Sequence, residues 1–230
     1  MTEAPIEPDT VPLFARMPRA ARSGLLQKAI SHSVAAGTVL FEQGEVPTFQ
    51  HVVLSGSVHL FGRSSEGREV LIEIVHPGDL VIPAAVVMAS PYLMQARVLE
   101  ASRFLLIEAD LFRSAVHDEP ALAQAMIGSL AGQFRRMVRQ IKNLKLRSST
   151  QRVGCYILAL SQAQKNTACV VLPYEKNLIA SELGMTRESF SRTLSALQHH
   201  GISVQGDTIA IEDADRLAAI SGLDPLIDAD

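Results

Sequence analysis

The chain has 230 residues, 47% of them hydrophobic and 20% charged, with a formal net charge of -3. That is enough apolar material for one large or two small domains and carries no signature of disorder; mild acidity excludes a general nucleic-acid coat, so any DNA contact must come from a local patch. The two cysteines, Cys155 and Cys169, give neither a metal-ligand spacing nor a disulfide framework, and no apolar run reaches bilayer length, which points to a soluble, cytoplasmic protein with no membrane partner.

In chain order, residues 1–12 are polar and proline-rich, and are expected to be loosely ordered. Residues 17–30 read as a short helix or two, with Leu25, Leu26 and Ile30 facing inward. From about Ser33 short β-rich segments alternate with glycines: Val39–Phe41, His51–Leu54, Val58–Phe61, Val70–Val75 and Arg103–Ile107. Turn signals about every ten residues argue for a β-barrel or sandwich, with Ser64–Gly67 as a hairpin turn.

After Pro120 the period changes. Ala123, Ile127, Leu130, Phe134, Met137, Ile141 and Leu144 follow at alternating spacings of four and three, an a/d seam on a helix from about residue 119 to 146. Such a helix is roughly 40 Å long. Its seam must be covered, either by the same helix of a second copy, giving a homodimer, or by the chain's own barrel. Arg135, Arg136, Arg139, Lys142, Lys145 and Arg147 cluster at its C-terminal end, as a solvated flank or as phosphate contacts.

A helix over 148–164 follows, with Val153, Ile157, Leu158 and Leu160 apolar, then a strand at Val170–Leu172. Leu178, Ile179 and Leu183 supply a helix after Pro173 that Gly184 ends; Thr186 caps the next. Phe190, Leu194 and Leu197 make its buried stripe, while Arg187, Glu188, Ser191 and Arg192 fall on the other side. This reads as a helix-turn-helix whose first turns, Thr186 and Ser189 included, would enter a DNA major groove; the alternative is a solvated face on an ordinary amphipathic helix. Ile202–Ile211 alternates around Gly206-Asp207 as a small hairpin, or wing, and a short helix lies near residues 213–220.

Barrel, long helix and winged helix-turn-helix in this order, together with Phe41-Glu42-Gln43-Gly44-Glu45, Ser55-Gly56-Ser57-Val58, Gly67-Arg68-Glu69, Pro77-Gly78-Asp79 and an Arg-Glu-x-x-Ser-Arg reader, resemble the Crp/Fnr superfamily of bacterial transcription regulators, in its Dnr- and HcpR-like branch. The resemblance implies an α+β fold: a cyclic-nucleotide-binding-like β-barrel (a jelly roll) over 1–117, a dimerisation helix over 118–147 and a winged helix-turn-helix over 148–230. It implies double-stranded DNA and RNA polymerase as partners. The Crp reader pattern is carried by Arg187, Glu188 and Arg192, the Fnr pattern by Glu188, Ser191 and Arg192. Arginine holds guanine O6 and N7, and glutamate accepts from cytosine N4, so inverted half-sites like TTGAT, TTGAC or TTGTGA are expected.

The sensor departs from the best-known members. Where cyclic-nucleotide binders of the family carry Gly-Glu-Leu and then Arg-Ser or Arg-Thr, this chain has Val81-Ile82-Pro83 and Leu93-Met94-Gln95-Ala96, which argues against cyclic AMP. With no cysteine before Cys155 there is no Fnr-type iron–sulfur cluster. Val81, Ile82, Met88, Tyr92, Met94 and Gln95, with Leu130 and Phe134 of the long helix, are the expected effector pocket. The resemblance to haem-containing sensors of the superfamily implies haem as the cofactor of this apolar region, serving nitric oxide, nitrosative stress or low oxygen, with His32, His51 or His59 as axial ligand; an effector-independent or other small-ligand regulator is the alternative. No paired catalytic carboxylates, nucleophile elbow, phosphate-binding glycine loop or metal motif is present, so an enzyme is not expected; a non-DNA-binding dimeric scaffold would leave the Arg187–Arg192 face unexplained.

Overall fold

The computed structural model describes residues 6–67 and 69–228. Arg68, of the Gly67-Arg68-Glu69 motif, lies outside the described residues, as do residues 1–5 of the expected loose N-terminus. The chain divides into two compact units, Met1–Gln133 and Phe134–Asp230, and the division falls inside the long helix.

The first unit opens with a 3-10 turn at Pro8–Thr10, α1 (Pro12–Ala15) and α2 (Arg19–Gln27). The lead-in is not loose: Ile6 N–H donates to the Leu54 carbonyl at 2.8 Å, and Val11 and Phe14 are fully buried. The strands are β1 (Ile30–Val34), β2 (Val39–Phe41), β3 (Phe49–Ser55), β4 (Val58–Arg63), β5 (Glu69–Val75), β6 (Gln95–Arg97) and β7 (Ser102–Glu108), with α3 (Pro83–Val87) between β5 and β6 and α4 (Ala109–Asp118) after β7. They form two antiparallel sheets, ordered β1-β7-β3 and β2-β6-β4-β5. Ile30, expected inward on a helix, instead begins β1 and is exposed, because β7 recruits the polar Ile-Ser-His-Ser-Val segment as an edge strand.

Period-two alternation assigns the two cores. Phe41, Val53, Val58, Leu60, Ala96 and Phe104 fill the space between the sheets. Val52, Leu54, Leu105 and Ile107 point the other way and pack under α1, α2 and α4. Leu122 and Met126, four apart on α5 (Pro120–Leu146), join this second core. Gly56, at the β3–β4 turn, has φ +78, and a Cβ there would lie 2.9 Å from the Ser102 Cα; only glycine fits between the strands.

The second unit continues from α5 into α6 (Ser149–Ala163), started by a capping box: Ser148 Oγ accepts from Gln151 N–H at 3.2 Å and Gln151 Oε1 from Ser148 N–H at 3.0 Å. Then come β8 (Cys169–Val171), α7 (Lys176–Glu182), α8 (Arg187–Leu197), β9 (Ile202–Gln205), β10 (Thr208–Ile211) and α9 (Ala214–Ser221). A further short helix, α10 (Pro225–Asp228), was not foreseen. β8, β10 and β9 form one antiparallel sheet, the wing. Phe190, Leu194 and Leu197 of α8 are buried with Val153, Ile157, Ile179 and Ile209 in a core of this unit's own.

Candidate nucleic-acid interface and effector region

The reader helix is built by its ends. Gly184, at φ +64, turns the chain after α7, and Thr186 starts α8 by accepting from Ser189 N–H at 3.2 Å. With Phe190 and Leu194 anchored inward, Arg187, Glu188, Ser191 and Arg192 are exposed on the first turns. Thr186 is consumed as the cap, and Ser189 is half-buried, its Oγ accepting from Arg192 Nη2 at 3.2 Å and lying 3.2 Å from Thr186 Oγ1. These two residues shape the start of α8, and the other four form its exposed face. Glu188 is held below the ordinary carboxylate range by its own backbone N–H, then by the Thr186 hydroxyl and the nearby Arg187 and Arg192. It is therefore an ionised acceptor, suited to an exocyclic amine. The wing turn is fixed to the start of α7 by Lys176 Nζ, which donates to the Gly206 carbonyl at 2.7 Å.

On α5 the seam separates from the packed stripe. Leu122 and Met126 face the first unit's core, while Ile127 is 68%, Phe134 61% and Met137 50% exposed, and Ile141 and Leu144 are also open. Ala123 is half-buried, and Leu130 leans on the core. The cation run is not a uniform flank: Arg147 is buried against Asp228, and Lys142 reaches Asp224 at 3.6 Å.

The residues expected to form an effector pocket lie in different surroundings. Val81 is fully buried and Tyr92 nearly so, the latter stacked on Phe41 with centroids 3.6 Å apart. Met94 and Ile82 pack against the same core, Leu130 against the other, and Met88 is exposed. Phe134 belongs to the second unit. The apolar run 81–94 is divided between core and surface because α3 and the bend after it turn successive side chains to different sides, which a run of apolar letters does not reveal. Ile82 stands at φ 41, a left-handed conformation that is costly for a β-branched residue. An open surface groove of about 490 Å³ runs along the β4–β5 hairpin, lined by Gln43, Gly62, Arg63, Ser64, Val70, Ile72 and Leu93. Gln95 is buried and donates to Glu42 Oε2 at 2.8 Å; its Oε1 accepts from Arg97 Nη2 at 2.5 Å. Arg97 covers the Phe61 ring and shares Glu69 with Arg63, whose hydrogen bond is the main cause holding that carboxyl below its ordinary range.

Residues 31–119 match the cyclic nucleotide-binding domain family and residues 151–220 the Crp-like helix-turn-helix domain family. The CRP-like cAMP-activated global transcriptional regulator of Mycobacterium tuberculosis is 26% identical over 215 residues, covering 86% of this chain and 96% of that one. The anaerobic regulatory protein of Pasteurella multocida is 29% identical over 190 residues, 80% of this chain and 69% of that one. The chain thus carries, in order, the two domains of a Crp/Fnr-type regulator. It is a DNA-binding transcription regulator, like these relatives that match most of its length. Among solved structures, a regulatory protein of Silicibacter pomeroyi DSS-3 is 28% identical, with a TM-score of 0.59 over 93% of this chain and 98% of that one. The c-di-GMP responsive global regulator CLP of Xanthomonas campestris, at 18% identity, matches in fold alone, with a TM-score of 0.73 over 85% of this chain and 100% of that one. No helix among the described residues is long and apolar enough to cross a membrane.

For this Crp/Fnr regulator the haem expectation meets three histidines of different kinds. His32 is exposed on β1. His59 is fully buried and lies 3.2 Å from Ser57 Oγ, which donates to Glu100 Oε1 at 2.9 Å, so the ring N–H is the donor to the serine. His51 sits among Phe41 and Phe104, hydrogen-bonded to the Phe49 carbonyl, with Nδ1 buried and unpartnered. Burial lowers both His51 and His59 to about 4, so they are neutral at pH 7. Neither lines the β4–β5 groove, and the space around His51 is filled by aromatic rings. The residues present do not fit a haem. No group of three or more His, Cys, Asp or Glu among the described residues is arranged to hold a metal ion.

Proposed function

We propose that the protein works as a homodimer that reads a palindromic site related to TTGAT, TTGAC or TTGTGA, with Glu188, Ser191 and Arg192 as base readers and Arg187 favouring a further guanine. The observation that carries this is the pairing of two exposed faces on one unit: the polar first turns of α8, and the apolar row Phe134, Met137, Ile141 and Leu144 on α5. An apolar row of that length in water calls for a partner, and its 3.5-residue period matches a second copy. A two-fold pair then presents two α8 helices to half-sites one turn of DNA apart. Contact with RNA polymerase is part of the same reading.

For the signal, the packed surroundings of His51 and His59 favour a small-ligand or effector-independent regulator over a haem sensor of nitric oxide or oxygen. Among the described residues, Arg63 at the rim of the β4–β5 groove and Arg97 nearby are both paired with Glu69. The test is fluorescence anisotropy at fixed salt, comparing the palindrome with a scrambled duplex and repeating it with haem added. The proposal expects at least a hundredfold preference for the palindrome and no haem effect. Equal affinity for both duplexes overturns the reader assignment, and a stoichiometric Soret band with altered binding overturns the reading of the signal.

A further inference from the structure

Arg147 stands between α5 and α6, and its side chain is only 5% exposed. The geometry points to α10 as a clasp across this hinge, with Arg147 and Asp228 as positioning residues that fix the reader helix relative to the long helix for recognition of a palindrome. The inference rests on the dimeric reading above.

The guanidinium uses its whole fork. Nη1 donates to Asp228 Oδ1 at 2.7 Å and Nη2 to Asp228 Oδ2 at 2.5 Å. Nη1 also reaches Asn143 Oδ1, one turn back on α5, at 3.2 Å, and Nη2 the carbonyl of Gly222, which ends α9, at 3.4 Å. Asp228 is itself held in place, since its Oδ2 accepts from Asp224 N–H at 2.7 Å, and Asp224 pairs with Lys142 of α5 at 3.6 Å. The segment after α9 is thus tied to the last turns of the long helix at two points.

The other side of the hinge leads to the reader. The Arg147 carbonyl accepts from Arg152 Nη1 at 2.8 Å, and Arg152 Nε donates to the Leu183 carbonyl at 2.9 Å. Leu183 is the last residue before the Gly184 turn into α8, and a Cβ on Gly184 would meet the Leu144 side chain of α5. One connected set of bonds therefore runs from α10 through the hinge to the start of the recognition helix. A hinge held this way arrives at DNA with its reader orientation already restricted. The gain appears only when two readers must meet two half-sites at once.

The experiment uses the full chain carrying Asp228→Asn and, separately, Arg147→Lys, which keeps the charge but loses the fork. Affinity is measured on the palindrome, on an isolated half-site, and on palindromes lengthened or shortened by one central base pair. The clasp predicts about tenfold weaker binding to the palindrome for both variants, half-site affinity within twofold of wild type, and reduced discrimination against the altered spacers. Equal losses on half-site and palindrome, or unchanged spacer discrimination, would mean that the pair only stabilises the fold. A wild type that binds the palindrome no better than a half-site overturns the dimeric reading, and this inference with it.

Discussion

Replacing Phe134 with lysine tests the seam where it is most open. The side chain is 61% exposed in the single chain. Complete burial of a phenylalanine contributes about 1.5–3 kcal/mol, so roughly 1.5 kcal/mol remains to be gained per copy by covering the exposed part. Both copies change together in a homodimer, so the loss is about 3 kcal/mol, or about two decades in dissociation constant, before the cost of crowding two ammonium groups at the seam is added. Sedimentation velocity across a concentration series reads this directly. Circular dichroism should stay at wild type, because the position contributes little to the fold of one chain. A dissociation constant unchanged within threefold would refute the reasoning, since it would place the dimer contact, if any, elsewhere than on α5.

Arg192→Ala should cost about 1–3 kcal/mol per half-site and relax base preference at one position, read by anisotropy on single-base variants; a uniform loss across all sequences would reassign Arg192 to phosphate contact. Gly56→Ala forces a Cβ to within 2.9 Å of the Ser102 Cα at φ +78, so the melting midpoint of the first unit should fall by the equivalent of about 2 kcal/mol or more. Burial pushes the Glu182 carboxyl up to about 7 from its ordinary 4.5. The folded state therefore holds this proton more tightly than the unfolded chain, and the stability it contributes is complete below about pH 4.5 and lost as pH rises through about 7. Thermal unfolding should accordingly show Glu182→Gln more stable than wild type at pH 8, with a flatter profile between those limits; parallel profiles would contradict the assignment.

The parts legible in the sequence are those whose period survives without tertiary help. The a/d row of α5 and the Phe190-Leu194-Leu197 stripe of α8 repeat at helical spacing, and both helices lie where that spacing places them. Alternation marks β3, β4, β5 and β7, and the Gly-Asp turn marks the wing. What failed to show has a common cause. β1 is a polar edge strand and β6 has only three residues, so each is defined by its neighbour rather than by its own pattern. Which residues of the run 81–94 are buried depends on the way α3 turns them, which apolar letters alone do not reveal. Arg147 reads as one more cation in a basic run, and nothing local links it to Asp228. At the reader, spacing separated Arg187, Glu188, Ser191 and Arg192 from the buried stripe, but only the hydrogen bonds show that Thr186 and Ser189 support the others.

The central claim is that two copies of α8 read a two-fold DNA site through Glu188, Ser191 and Arg192. Selection of bound duplexes from a random-sequence pool by the purified full chain tests it most directly. The account predicts an enriched pair of inverted half-sites, each containing TTGA or TTGTGA, with centres about one helical turn apart. Enrichment of a single unpaired motif, or of no sequence at all, would contradict it.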